Sequence, residues 1–331
     1  VVRTNPDQAG RAKLVKAEGL IAGRKFADAE AIVRELGNDP KADAVKLALA
    51  NGYYRFNEVD KARQLYNEFF AKFQQPPADA DLLKFYRDAA WTYGQMLKNA
   101  GDLKGAADGL AKVLATNPEK DIARTIMAER AQLLVDLASR TQGPDRDKYL
   151  NEATKVAKDI QWGGVDLWFG QSIITLANIE LLRGDREKAK KLINKDFADI
   201  LKEIDKQMKE HGGSMGQSPM AGARFLLGDM YQKDAEPILN DQARRQEAID
   251  LLAKALGEFY NVFVQYGESD WGPEAGVRAN TIKSQLEAFG KVVKIDLGDQ
   301  ADKAAATQFR LADNLYRQKQ YGDAAREYLK A

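Results

Sequence analysis

Leu311-Ala312-Asp313-Asn314-Leu315, then Gln320-Tyr321-Gly322-Asp323-Ala324, then Tyr328 and Ala331, close this chain of 331 residues. Apolar and small residues recur three and four positions apart on either side of a Tyr-Gly-Asp turn. That spacing places them on one face of each of two helices joined by a tight connection. Ala324 falls where those helices approach each other, and a larger side chain there would force them apart at about 1–3 kcal/mol.

The same frame recurs upstream. Leu49-Ala50 and Tyr53 lead to Val59, Ala62, Tyr66 and Phe69. Tyr93-Gly94 and Leu97 lead to Gly101-Asp102-Leu103, Ala106, Leu110 and a closing Pro118. Leu176-Ala177 leads to Gly184-Asp185 and Ala189, and Leu227-Gly228 and Tyr231 lead to Ala248, Leu252 and Ala255. Worn copies hold Phe26, Ala29 and Val33, and Leu150, Ala153 and Ile160. Successive frame alanines (29, 62, 106, 153, 189, 248, 324) lie 33, 44, 47, 36, 59 and 76 residues apart. The last gap has room for an added helix from about Pro273 to Phe289. All nine prolines fall in connections or at helix starts, where the missing N–H is harmless. No window alternates strictly in the manner of a strand, so the expected class is all-α. A long charged helix is expected over about 186–209, followed by the glycine-rich loop 211–218.

The small-residue and aromatic spacing resembles the tetratricopeptide repeat, whose first helix carries Leu-Gly-x-x-Tyr. Its turn is followed by an aromatic, two residues and Ala, and the first alanine gap above matches the family period of about 34 residues. The resemblance implies a right-handed superhelical solenoid of antiparallel helix pairs. It would run as an N-terminal array over 1–210, a hinge loop over 211–218 and a C-terminal array over 219–331. The start at Val1 without Met and the stop at Ala331 inside an expected helix fit a processed or trimmed chain.

Composition narrows the chemistry. Lys plus Arg number 50 and Asp plus Glu 49, so a net charge of +1 supplies no global field for nucleic acid or an anionic membrane. Cysteine is absent, which removes disulfides, thiolate metal sites and thiol nucleophiles. His211 is the one histidine, too few for a His-based triad or a multi-histidine metal site. Gly212-Gly213-Ser214-Met215-Gly216 lacks the Lys-Ser/Thr ending of a phosphate loop and follows no strand. Carboxylates such as Glu203 and Asp205 are expected on exposed charged faces, without the desolvated setting that acid–base catalysis needs. The expectation is no enzyme, no metal, no nucleotide and no other cofactor.

The resemblance also implies where a partner binds. In the family the first helix of each pair lines the concave face. Carried onto this chain, the groove residues are Leu47, Asn51, Tyr54 and Arg55, then Asp88, Trp91, Thr92, Gln95 and Lys98. Later copies add Asn178, then Phe225, Asp229 and Gln232, then Phe309, Arg310 and Asp313. Asn51, Gln95, Asn178, Asp229 and Asp313 form a ladder of short polar groups suited to a peptide backbone. Tyr54, Trp91, Phe225 and Phe309 are either aromatic anchors for a partner or inter-repeat core. Family members that clamp a chaperone's terminal carboxylate use Lys, Arg and Asn where this chain has Ala44, Asn51, Asp88 and Thr92, so that clamp is not expected. Trp162, Trp168 and Phe169, in the aromatic connection 162–169, either pack over the end of a helix pair or form the alternative contact.

Finally, Tyr266-Gly267-Glu268-Ser269-Asp270-Trp271-Gly272-Pro273-Glu274-Ala275 resembles the inter-repeat joint of bacterial cell-envelope members of the superfamily, with Gly267 where those have Pro. That likeness implies an exported, periplasmic adaptor binding a protein or extended peptide, by analogy serving a Tol- or Exb-type proton-driven motor. The alternative is a cytosolic adaptor or a self-assembling structural component. Nucleic acid and direct membrane insertion are not expected; homo-oligomers and membrane-complex subunits both fit.

Overall fold

The computed structural model describes residues 6–291 and, beyond them, 309, 310, 312, 313, 315–317, 324, 325 and 328. Leu311, Asn314, Gln320 to Asp323 and Ala331 of the closing repeat lie outside the described residues. The described residues are all-helical, with fourteen α-helices and no strand. The chain divides into two compact units, residues 1–156 and 157–331.

The first unit holds α1 (Pro6–Ala22), α2 (Phe26–Leu36), α3 (Pro40–Arg55), α4 (Val59–Lys72), α5 (Ala80–Asn99), α6 (Leu103–Leu114), α7 (Lys120–Ser139) and most of α8 (Pro144–Gln161). Each packs on chain neighbours: α1 on α2 and α3, α3 on α4 and α5, α5 on α6, and α6 on α7. The second holds α9 (Leu167–Leu182), α10 (Arg186–Lys191), α11 (Ala198–Glu210), α12 (Pro219–Ala235), α13 (Arg245–Gln265) and α14 (Gly272–Ala288). There α12 packs on α9, α11 and α13, and α13 packs on α14. The segment 211–218 connects α11 to α12 through a short 3₁₀ turn, Met215–Gln217.

One turn joins consecutive helices at four places. It joins α1 to α2, α3 to α4, α5 to α6, and α9 to α10. The N–H of its last residue returns to a carbonyl five residues back: Lys25 to Leu20 and Glu58 to Tyr53 at 2.8 Å, Asp102 to Leu97 and Asp185 to Glu180 at 2.9 Å. This Schellman-type closure needs a left-handed residue just before it. Arg24, Asn57, Gly101 and Gly184 supply it, at φ 59°, 64°, 80° and 84°. Four residues after each closure comes a frame alanine, 29, 62, 106 or 189. All seven frame alanines are at most 1% exposed.

Close approach of paired helices explains the small residues between them. A Cβ on Gly109 of α6 would lie 2.9 Å from the Cα of Gly94 on α5 and 3.2 Å from the Ala90 carbonyl. A Cβ on Gly228 of α12 would meet the Phe259 ring of α13 at 2.9–3.0 Å. Helix starts fall on proline: α3, α8 and α12 begin at Pro40, Pro144 and Pro219.

The expected single charged helix over 186–209 is corrected. It breaks into α10 and α11 around a π-helical turn, Leu192–Asp196, where the Phe197 N–H reaches back to the Leu192 carbonyl. Ala189, Ile193 and Leu201 belong to one core cluster, and Phe197 packs against it. Successive four-residue steps drift around a helix of 3.6 residues per turn, and the wider turn takes that drift back. The added helix expected near 273–289 is α14. Among the described residues no helix is long and apolar enough to cross a membrane.

Candidate functional site

Helix α5 starts on an Asp79 cap, whose carboxylate accepts the Leu82 N–H at 2.8 Å. One face buries Leu82, Tyr86, Ala89 and Ala90. The next face carries Asp88, Trp91 and Thr92 outward. The start of α7 faces them with Ile122, Thr125 and Ile126, and the end of α6 adds Val113. Together with Arg87 these residues line a cleft of about 450 Å³. Trp91 is 37% exposed and Ile122 51% exposed. Arg87 is held at the rim: its Nε donates to Thr116 Oγ1 at 2.8 Å and its Nη2 to the Thr116 carbonyl at 3.2 Å. Exposed Asp88 makes no ion pair among the described residues. The cleft is therefore a concave apolar surface with one fixed cation and one unpaired carboxylate.

No family model and no curated protein matches this chain.

The other groove residues divide by environment. Gln95 and Lys98 both donate to Glu129 on α7, at 3.0 and 2.7 Å. Tyr54 accepts the Asn99 amide N–H at 3.1 Å, and Arg55 is exposed. Asn51 accepts the hydroxyl proton of Tyr66 through its side-chain carbonyl. Asp313 accepts that of Tyr328 in the same way, again fifteen residues on. The polar ladder position thus bonds across its own helix pair in two copies. Asp229, 8% exposed, is ion-paired with Arg278 at 2.6 Å and Lys233 at 2.8 Å. Asn178 is half-buried. Phe225 takes the core role, 8% exposed and edge-on to Phe259 at 5.4 Å between centroids. Phe309 is 54% exposed.

In the aromatic connection Trp162 stands 88% exposed, whereas Trp168 and Phe169 are half-buried in the first turn of α9. Phe169 packs on Phe197 at 6.0 Å. Its N–H is capped by Asp166 at 3.1 Å. Of the three aromatics, Trp162 is therefore the one presented to solvent. His211 is exposed and donates from Nδ1 to the Gln207 carbonyl at 2.8 Å, a helix-end contact.

Two features escape sequence reasoning. Ile122 is one; an exposed Ile in the first turn after Pro118 was its only trace. The other is a buried polar knot at the end of the connector, which corrects the expectation that Asp205 lies on an exposed face: it is buried. Ser218 is fully buried and donates to Asp205 Oδ1 at 2.6 Å. Tyr266 donates to Asp205 Oδ2 at 3.0 Å, and Lys209 pairs with the same oxygen at 2.7 Å. Burial, then the Asp205 charge, pushes the Tyr266 hydroxyl well above its ordinary pKa. Ser218 also caps α12 through the Met220 N–H, so the knot fixes where α12 begins.

Proposed function

We propose that this chain is a non-catalytic scaffold of the tetratricopeptide type, and that its α5–α7 cleft holds a segment of a partner protein. The observation that carries this is the meeting of Trp91 and Ile122, two exposed large apolar side chains, in one concave cleft. Exposed apolar area rimmed by polar groups is characteristic of interaction sites, and tryptophan is prominent among residues that dominate interface energies. The four repeated turns and the buried frame alanines support the repeat reading, with the right-handed superhelix as its expected form. The joint at Tyr266–Ala275 and the absence of cysteine support an exported envelope adaptor. Service to a Tol- or Exb-type motor rests on analogy.

The test is to pan a random peptide library on the full chain and then measure the selected peptides on Trp91→Ala. Binding should weaken at least about tenfold with the melting temperature nearly unchanged, because Trp91 is already partly solvated. Peptides that bind wild type and Trp91→Ala, Ile122→Ala equally well would remove this cleft from the function.

A further inference from the structure

The turn between α13 and α14 carries a second cleft, of about 460 Å³, lined by Phe263, Gly267, Ser269 and Pro273 on one side. Arg310, Asp313 and Arg317 line the other side, and Glu268 and Asp270 complete it. We propose that this cleft binds an oxyanion, a carboxylate or phosphate group, between Arg310, Arg317 and the Ser269 hydroxyl.

Four observations carry the proposal. First, Ser269 is 3% exposed and its Oγ has no hydrogen-bond partner, although its backbone is satisfied on both sides. Its N–H donates to the Tyr266 carbonyl at 2.8 Å, and its carbonyl accepts the Gly272 N–H at 3.0 Å. A buried hydroxyl left unpaired is expensive and calls for a partner. Second, Arg310 is half-buried and forms no ion pair among the described residues, and neither does exposed Arg317. A partly desolvated guanidinium that makes no ion pair is in a similar position to the hydroxyl.

Third, the backbone is shaped to admit that guanidinium. A Cβ on Gly267 would lie 2.6 Å from Arg310 Nη1 and 2.7 Å from the Phe263 carbonyl. A proline there, as in the envelope joint that this stretch resembles, would displace Arg310. Fourth, the seventeen-residue helix α14 begins at Gly272 and its Pro273 lines the cleft, so the partial positive charge of the helix N-terminus lies beside it. Ser269, Arg310 and Arg317 all offer donors, so the ligand must accept, and charge-assisted acceptance by a planar or tetrahedral oxyanion suits paired guanidinium groups. Three carboxylates also line the cleft. Asp313 is engaged by the Tyr328 hydroxyl, while Glu268 and Asp270 are exposed at the rim. They weaken the resting field and favour a ligand small enough to sit inside them.

Calorimetric titration of the full chain at low ionic strength tests this, with sodium phosphate in one arm and N-acetyl-alanine in the other. Saturable binding is expected in at least one arm. Phosphate alone assigns a phosphate group, acetyl-alanine alone a carboxylate, and both an oxyanion site that does not discriminate. Arg310→Gln and Ser269→Ala should each weaken binding about tenfold. Ligand-free Ser269→Ala should melt no lower than wild type, since it removes an unpaired buried hydroxyl. Should Arg310→Gln fail to fold, Arg317→Gln at an exposed position takes its place. No saturable heat in either arm, or affinities unchanged in every variant, would overturn the site.

Discussion

The helix pairs of the first unit are cross-linked by tyrosine hydroxyls: Tyr53 to Glu30 at 2.7 Å, Tyr66 to Asn51, and Tyr93 to Asn67 at 2.6 Å. Their rings stack as well, with Phe26 on Tyr53 and Tyr66 on Tyr93 at 4.3 and 4.9 Å. In the second unit the comparable cross-links are mainly ionic. Asp234 of α12 takes Lys190 at 2.5 Å and Arg186, both from α10. Arg278 of α14 reaches Asp229 of α12 and lies over the Phe225 and Phe259 rings at 5.2 and 5.5 Å. One frame of buried alanines therefore tolerates two kinds of glue. The frame sets how closely helices approach; polar groups at its margins set which perturbation loosens them.

The largest effect should come from Arg278→Ala. It leaves Asp229 buried with Lys233 alone and removes the cation over two rings. We expect a loss of about 2–3 kcal/mol, read as a shifted urea midpoint, with hydrogen exchange accelerated in α12–α14 and unchanged in α3–α6. Uniform acceleration would mean that the two units unfold as one. Next come Ala106→Leu and Ala248→Leu, one in each unit. Each overpacks a fully buried frame position and should cost about 1–3 kcal/mol. Destabilisation in one unit alone would restrict the repeat frame to that unit.

Alkali should separate the units in the opposite sense. Burial leads in raising the pKa of Tyr53, Tyr66, Tyr86 and Tyr93 above the ordinary value of 10.0, all in the first unit. In the second, Tyr266 is raised by burial and Tyr328 by its bond to Asp313. A folded-state pKa above the unfolded one leaves stability whole below pH 10 and erodes it above. The first unit should therefore lose amide protection first as pH rises past about 10. Tyr66→Phe should cost about 1 kcal/mol in that unit by orphaning the Asn51 carbonyl, and should blunt the alkaline loss. The smallest effect is in acid. Burial opposes ionisation of Asp234, but hydrogen bonds from Lys190 and Arg186 outweigh it and hold the pKa below 3.8. The contribution of this partly exposed pair, under about 1 kcal/mol, is present above about pH 4 and lost below it. Asp234→Asn should abolish that step in an acid titration.

Much of the architecture was legible in the residues because its determinants are local. Gly101-Asp102 and Gly184-Asp185 announce turns, prolines announce helix starts, and alanines spaced for close packing are buried wherever they are described. Residues 186–209 were misjudged because charge and length suggested one helix, while the π turn answers to Phe169 and the core beyond it. In the candidate sites, Trp91 was legible as a groove position. Ile122 was not, since its partner stands 31 residues away. Nor was the bond of Asn51 to Tyr66, because an Asn on a helix face is equally suited to water, a peptide or a neighbour.

By itself the sequence determined that this protein is helical, where its turns fall and which small residues lie inside. Those properties depend on backbone conformation and on a spacing of 3.6 residues per turn, both written within a few consecutive residues. Tertiary structure alone decided the environment of each apolar or polar face. In stacked helix pairs one face meets the mate and another meets the next pair, and both are apolar. Hence Phe225 went to the core while Trp91 stayed at the surface, and Arg310 came to rest over Gly267 without an ion pair among the described residues. Such outcomes depend on which distant helix arrives, and periodicity carries no record of that.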